Sequence, residues 1–112
     1  MKKGVIEKKI RELKKVIIPI LKRNGVVKAG VFGSFVRGDD KKNSDIDILI
    51  KPPKGIGFGF VGIQLQLQKS LNKKVDLLSY KAIHPLLKEK ILKEEVRILW
   101  IKKIIWFFLS IY

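Results

Sequence analysis

The chain predicts an α/β (α+β) domain, with short strands alternating with helices. Two observations carry this reading. Ile6, Ile10, Leu13, Ile17 and Ile20 recur at spacings of three and four with lysines between them, which is the apolar stripe of a helix. Three short apolar runs, 26–32, 45–51 and 75–79, are punctuated by glycine, proline and asparagine, as strands are. At 112 residues the chain is large enough for one domain with a real core and too small for a second substrate-binding domain.

The elements follow in order. Pro19 falls inside the first stripe and is expected to kink or restart the helix. Asn24-Gly25 ends it. The run 26–32 is apolar enough for a strand covered on both faces. Ser34 to Arg37 is expected to start a short helix, and 39–43 is an exposed polar loop. The run 45–51 is the second strand, stopped by Pro52-Pro53. Gly55, Gly57, Gly59 and Gly62 lack the lysine and hydroxyl ending of a phosphate-binding P-loop and read as a flexible connection. In 60–71, Ile63, Leu67 and Leu71 share a helical face. The alternation of Gln64, Gln66 and Gln68 with apolar residues makes a strand the rival there, and length favours helix. Residues 75–79 form a third strand. From Lys81 a helix is expected with Ile83, Leu87, Ile91 and Val96 inward, and with Lys88, Lys90, Lys93 and Glu94 outward. His84, before Pro85, reads as structural.

Composition excludes several chemistries. There is no cysteine and a single histidine, which removes disulfides, thiolate metal sites and a histidine-ligated zinc centre. No serine–histidine pair supports a nucleophilic hydrolase. The net charge of +15 suits either a solvated lysine-rich surface or a polyanion-binding one. The basic first residues are not followed by a continuous apolar stretch, so no secretory signal is expected and a cytoplasmic location is the expectation. The segment 100–112 holds half of the aromatic residues, among them Trp100, Trp106 and Tyr112. Its uncharged part is far shorter than the roughly 20 apolar residues of a membrane span. It is expected as an extension to a domain of residues 1–99, serving packing, dimerisation or a partner contact.

The chemistry concentrates in two places. Gly33-Ser34 follows the first strand, with Arg37-Gly38 just beyond. A glycine there lets the backbone approach a phosphate, and Ser34 offers a hydroxyl and an N–H. Ser34 equally suits a helix cap, and Arg37 suits either a phosphate or a pairing with Asp39 or Asp40. Ser44 reads as a turn residue that orients Asp45. Asp45 and Asp47 then stand two apart at the start of a strand, on one face. Paired carboxylates suit Mg²⁺, which is held by one or two carboxylates plus substrate phosphates. Asp76, between Val75 and Leu77, would be costly to bury without a cation nearby.

The order Gly-Ser, Arg-Gly, then Ser-Asp-x-Asp resembles the DNA polymerase beta-type nucleotidyltransferases. It is most similar to the minimal nucleotidyltransferases paired with HEPN-domain proteins in toxin–antitoxin modules, over residues 17–99. The resemblance implies a small mixed sheet of three or four strands flanked by helices. It implies Asp45, Asp47 and Asp76 as catalytic carboxylates and ligands of two Mg²⁺ ions. Gly33, Ser34, Arg37 and Ser44 become nucleotide-binding residues. The implied activity is transfer of AMP from ATP to a tyrosine of a HEPN ribonuclease toxin, making this chain an antitoxin. Neutralisation by binding alone, and transfer to RNA or a small molecule, stay open, as do a homodimer and RNA as partners.

Overall fold

The computed structural model describes residues 2–39 and 44–101. Helix α1 (Lys2–Arg23) carries the lysine-flanked stripe and continues through Pro19 without restarting. Strand β1 (Lys28–Phe32) leads through Gly33 into the four-residue helix α2 (Ser34–Arg37). Strand β2 (Ile46–Ile50) is followed by α3 (Gly59–Leu71) and strand β3 (Val75–Ser79). A 3₁₀ turn (Tyr80–Ala82), helix α4 (Pro85–Glu94) and strand β4 (Val96–Trp100) complete the described chain.

The strands form one mixed sheet in the order β3-β2-β1-β4. β1 is antiparallel to both β2 and β4, and β2 is parallel to β3. That matches the expected small mixed sheet flanked by helices. One face of the sheet is the core. Ala29, Val31, Ile46, Ile48, Ile50, Val75 and Leu77 pack there with Ile17 and Leu21 of α1 and Ile63 and Leu67 of α3. Each fully buried aliphatic side chain of this kind contributes about 1.5–3 kcal/mol. The other face carries the alternate residues, including Gly30, Asp47 and Asp76; Tyr80 meets it at Lys28, Glu95 at Gly30, and the end of α4 at Gly33.

The 60–71 segment is a helix, so the alternating glutamines do not mark a strand. Two of them instead reach β3, where the Gln64 amide donates to the Val75 carbonyl at 2.8 Å and the Val75 N–H donates to Gln68 at 3.1 Å. His84 is structural as expected, capping α4 by accepting the Leu86 N–H on Nδ1 at 3.2 Å.

Three local expectations need correction. Val96 lies in a strand, not on the inner side of a helix; the apolar run 96–100 supplies the edge pairing that β1 leaves open. Leu87 is exposed rather than inward, because α4 buries none of its residues. Glu94 does not face outward. Trp100 is the last residue of β4, and 102–112 of the expected extension lie outside the described residues, as does most of the 39–43 loop. Among the described residues no helix is long and apolar enough to cross a membrane.

Candidate nucleotide and metal site

The pairing of the strands builds the site. Phe32 at the end of β1 is opposite Asp47, and Asp47 is opposite Asp76 on the parallel β3. The end of β1 and the beginnings of β2 and β3 therefore meet at one margin of the sheet. Residues in register project on the same face, so the two aspartates stand side by side. Their apolar neighbours Ile46, Ile48, Val75 and Leu77 point into the core. Asp76 is itself exposed, so the expected burial cost of a carboxylate between Val75 and Leu77 does not arise.

Gly33 follows directly. Its φ of 76° is left-handed, the region that favours glycine. A Cβ placed on it would lie 2.1 Å from Oδ2 of Asp47, so the turn and the carboxylate pack together only because this residue has no side chain. Gly33 occupies the cap position of α2, and Ser34 is the first helical residue rather than the cap. The Ser34 carbonyl accepts from the N–H groups of Gly38 and Asp39 at 3.0 and 3.2 Å. Ser44 lies half-buried two residues before β2.

Electrostatics mark Asp47 as the centre of the site. Its carboxyl is pushed up from the ordinary 3.8 to about 6. Burial is the main cause, followed by the negative charges of Asp76 and Asp45 and a hydrogen bond with Asp76, while Arg37 opposes the shift. Asp45 is turned partly toward Lys74, with its Oδ2 3.9 Å from Nζ. The structure thus brings Asp47 and Asp76 together with Gly33 and leaves Asp45 at their margin. Among the described residues no three carboxylates close around a single point as metal ligands. What fits a divalent cation is the donor chemistry. Asp47, Asp76 and Asp45 offer carboxylate oxygens, the ligands a hard cation takes, and burial followed by the negative charges of its two neighbours raises the proton affinity of Asp47.

Arg37 pairs with Asp39 at 3.2 Å, one of the expected partners. It also donates from Nη1 to Oε2 of Glu94 at 2.9 Å, while the Gly33 N–H donates to Oε1 of the same residue at 2.6 Å. Glu94 was not a sequence candidate. Its neighbour Glu95 was also missed. The Glu95 carboxylate is 4% exposed, is bound by Arg97 at 3.0 and 3.1 Å and by the Tyr80 hydroxyl, and lies against Gly30. The only signal for either was a pair of glutamates closing a lysine-rich helix just before an apolar run.

Comparison with known proteins shows the family to which this fold belongs. Residues 15–103 match the family described as Polymerase beta, Nucleotidyltransferase. A Methanocaldococcus jannaschii protein, provisionally named a protein adenylyltransferase, is 46% identical over 91 residues, 80% of this chain and 98% of that one. Protein adenylyltransferase MntA of Thermococcus cleftensis is 35% identical over 66% of this chain and 76% of its own. A solved structure provisionally named a minimal nucleotidyltransferase superposes with a TM-score of 0.69 at 29% identity, covering 80% of this chain and 92% of that one. The fold also matches, at 18% identity and a TM-score of 0.62 over 82% and 73% of the two chains, a structure of a tri-AMPylated Shewanella oneidensis HEPN toxin in complex with MNT antitoxin. The chain belongs to the polymerase beta nucleotidyltransferase family.

Proposed function

We propose that this nucleotidyltransferase is a Mg²⁺-dependent protein adenylyltransferase that moves AMP from ATP to a tyrosine hydroxyl of a HEPN-type toxin and so acts as its antitoxin. The observation that carries the proposal is the register pairing of Asp47 with Asp76 beside the glycine turn at Gly33. The names of the similar proteins, protein adenylyltransferase and MNT antitoxin, support the substrate and partner class.

In this reading Gly33, Ser34 and Arg37 hold the triphosphate, the first by its N–H and by the close approach it permits. Ser44 fixes the start of β2 and with it Asp45. Asp45, Asp47 and Asp76 would hold Mg²⁺, which when bound neutralises the attacking and leaving oxygens. The acceptor oxygen forms a bond to the α-phosphorus as the bond to the β-phosphate oxygen breaks, and pyrophosphate leaves. In the same reading Asp76, the exposed member of the pair, takes the hydroxyl proton or serves as a ligand of the catalytic metal. Asp47, crowded by its neighbours, is the carboxylate whose charge most needs a cation.

The test is transfer of α-phosphate label from ATP, with Mg²⁺, into a lysate of the native host, comparing wild type with Asp47→Asn. The expected result is label in a protease-sensitive, ribonuclease-resistant band that the variant abolishes. Label in RNA would replace the protein acceptor. Nucleotide binding with no transfer to any component would replace catalysis by neutralisation through binding.

A further inference from the structure

The two donors assigned to the triphosphate already hold an anion. One oxygen of Glu94 accepts from the Gly33 N–H at 2.6 Å and the other from Nη1 of Arg37 at 2.9 Å. A carboxylate bridging a backbone N–H and a guanidinium uses the same charge-assisted donors that a phosphate would use. The side chain is 19% exposed, so it is inserted into the turn rather than lying over it. It comes from 61 residues away in sequence, carried by α4.

The way α4 is mounted suits withdrawal. The helix buries none of its residues, and Leu86 is 86% exposed. A cavity of about 240 Å³ is lined by Lys28, Tyr80, Ile83, Lys88 and Leu92, spanning the turn, the helix and the sheet below them. The fixed points lie just beyond the ends, and Glu94, the last residue of α4, adjoins one of them, so its withdrawal is a swing of the side chain. Ile83 is buried before the helix, and Glu95 is clasped by Tyr80 and Arg97 after it, where β4 joins the sheet. Few buried apolar contacts mark a segment that opens locally at low cost.

We propose that Glu94 is an intramolecular latch, standing in for a phosphate in the cradle of Gly33 and Arg37 and leaving when the triphosphate arrives. This rests on the nucleotide reading of the site given above. The latch makes only the open fraction competent, so it weakens the apparent affinity for triphosphate by that fraction. It acts on binding and not on the chemical step, so its removal lowers the KM for ATP and leaves kcat undiminished.

The experiment titrates metal-free tripolyphosphate, and separately ATP, into the full chain by calorimetry at fixed ionic strength. Wild type is compared with Glu94→Gln and Glu89→Gln. Glu89 is exposed on the same helix and pairs only with Lys93, at 2.9 Å, among the described residues, so its variant makes the same charge change away from the cradle. The expected result is about tenfold tighter binding for Glu94→Gln, the factor for a latch closed in nine molecules of ten, with Glu89→Gln close to wild type. Equal tightening in both variants, no change, or weaker binding in Glu94→Gln overturns the latch while the nucleotide site stands. Absence of binding in all three folded proteins overturns the nucleotide reading itself. Should Glu94→Gln fail to fold, the wild-type Gly33 amide resonance decides. Saturating tripolyphosphate must shift it as the carboxylate leaves, and an unmoved resonance refutes the latch.

Discussion

Replacing Asp47 by Asn should stabilise the metal-free protein while abolishing transfer. The carboxyl is pushed up from 3.8 to about 6, so between those values the folded state holds a proton that the unfolded state has released. Stability therefore falls as pH rises through this window, and above it the full penalty of the charged group is present. A displacement of that size corresponds to at most roughly 3 kcal/mol. The group is only partly buried, and solvent screening reduces the figure to about 1–2 kcal/mol. An asparagine keeps the shape and can donate its amide to Asp76. Thermal melts in EDTA should therefore show the variant more stable than wild type at pH 7.5, by roughly 5–10 °C for a domain of this size, with the two converging near pH 4. Added Mg²⁺ should raise the wild type and not the variant. A variant less stable than wild type at pH 7.5 without metal, or equal Mg²⁺ effects on both, would refute the reasoning.

Gly33→Ala should cost roughly 1–3 kcal/mol from its left-handed backbone and the overlap with Asp47, and it should weaken ATP binding; a wild-type melting temperature would contradict the close approach. Asp76→Asn should leave stability within about 1 kcal/mol, since the residue is exposed, yet lower kcat by about 10²-fold or more, as loss of a proton acceptor does; single-turnover transfer is the check. Tyr80→Phe should cost about 1–3 kcal/mol because the nearly buried Glu95 loses a donor, read by denaturant melts. Burial and the Glu95 carboxylate hold the Tyr80 hydroxyl well above its usual range. Alkaline titration should accordingly show this phenol ionising only as the protein unfolds, with stability falling above pH 10, where the unfolded chain releases that proton first.

Local signals fixed what depends on neighbours in sequence. The spacing of Ile6 to Ile20, the apolar runs of β1, β2 and β3 and the glycine turn at Gly33 follow from periods of 3.6 and 2 and from backbone sterics. Each is set within a few residues, so each was legible without the fold. The glutamine alternation in α3 was ambiguous for the same reason: period-2 polarity and a four-residue apolar spacing coexist in 60–71, and only the bonds of Gln64 and Gln68 to β3 explain it.

The tertiary structure decided what depends on pairing between distant segments. Sequence could nominate Asp76 but not place it beside Asp47, because strand register is set by core packing across the sheet. It could not make 96–100 a strand, since that run is one only by completing the edge of β1. Nor could it show Glu94 in the Gly33 turn, as a glutamate on a lysine-rich helix looks like solvated surface until the end of that helix is brought to the turn. The residue types of this site were written locally, and their meeting was determined by the non-local order β3-β2-β1-β4, which brings the end of β1, the starts of β2 and β3 and the end of α4 to one margin of the sheet.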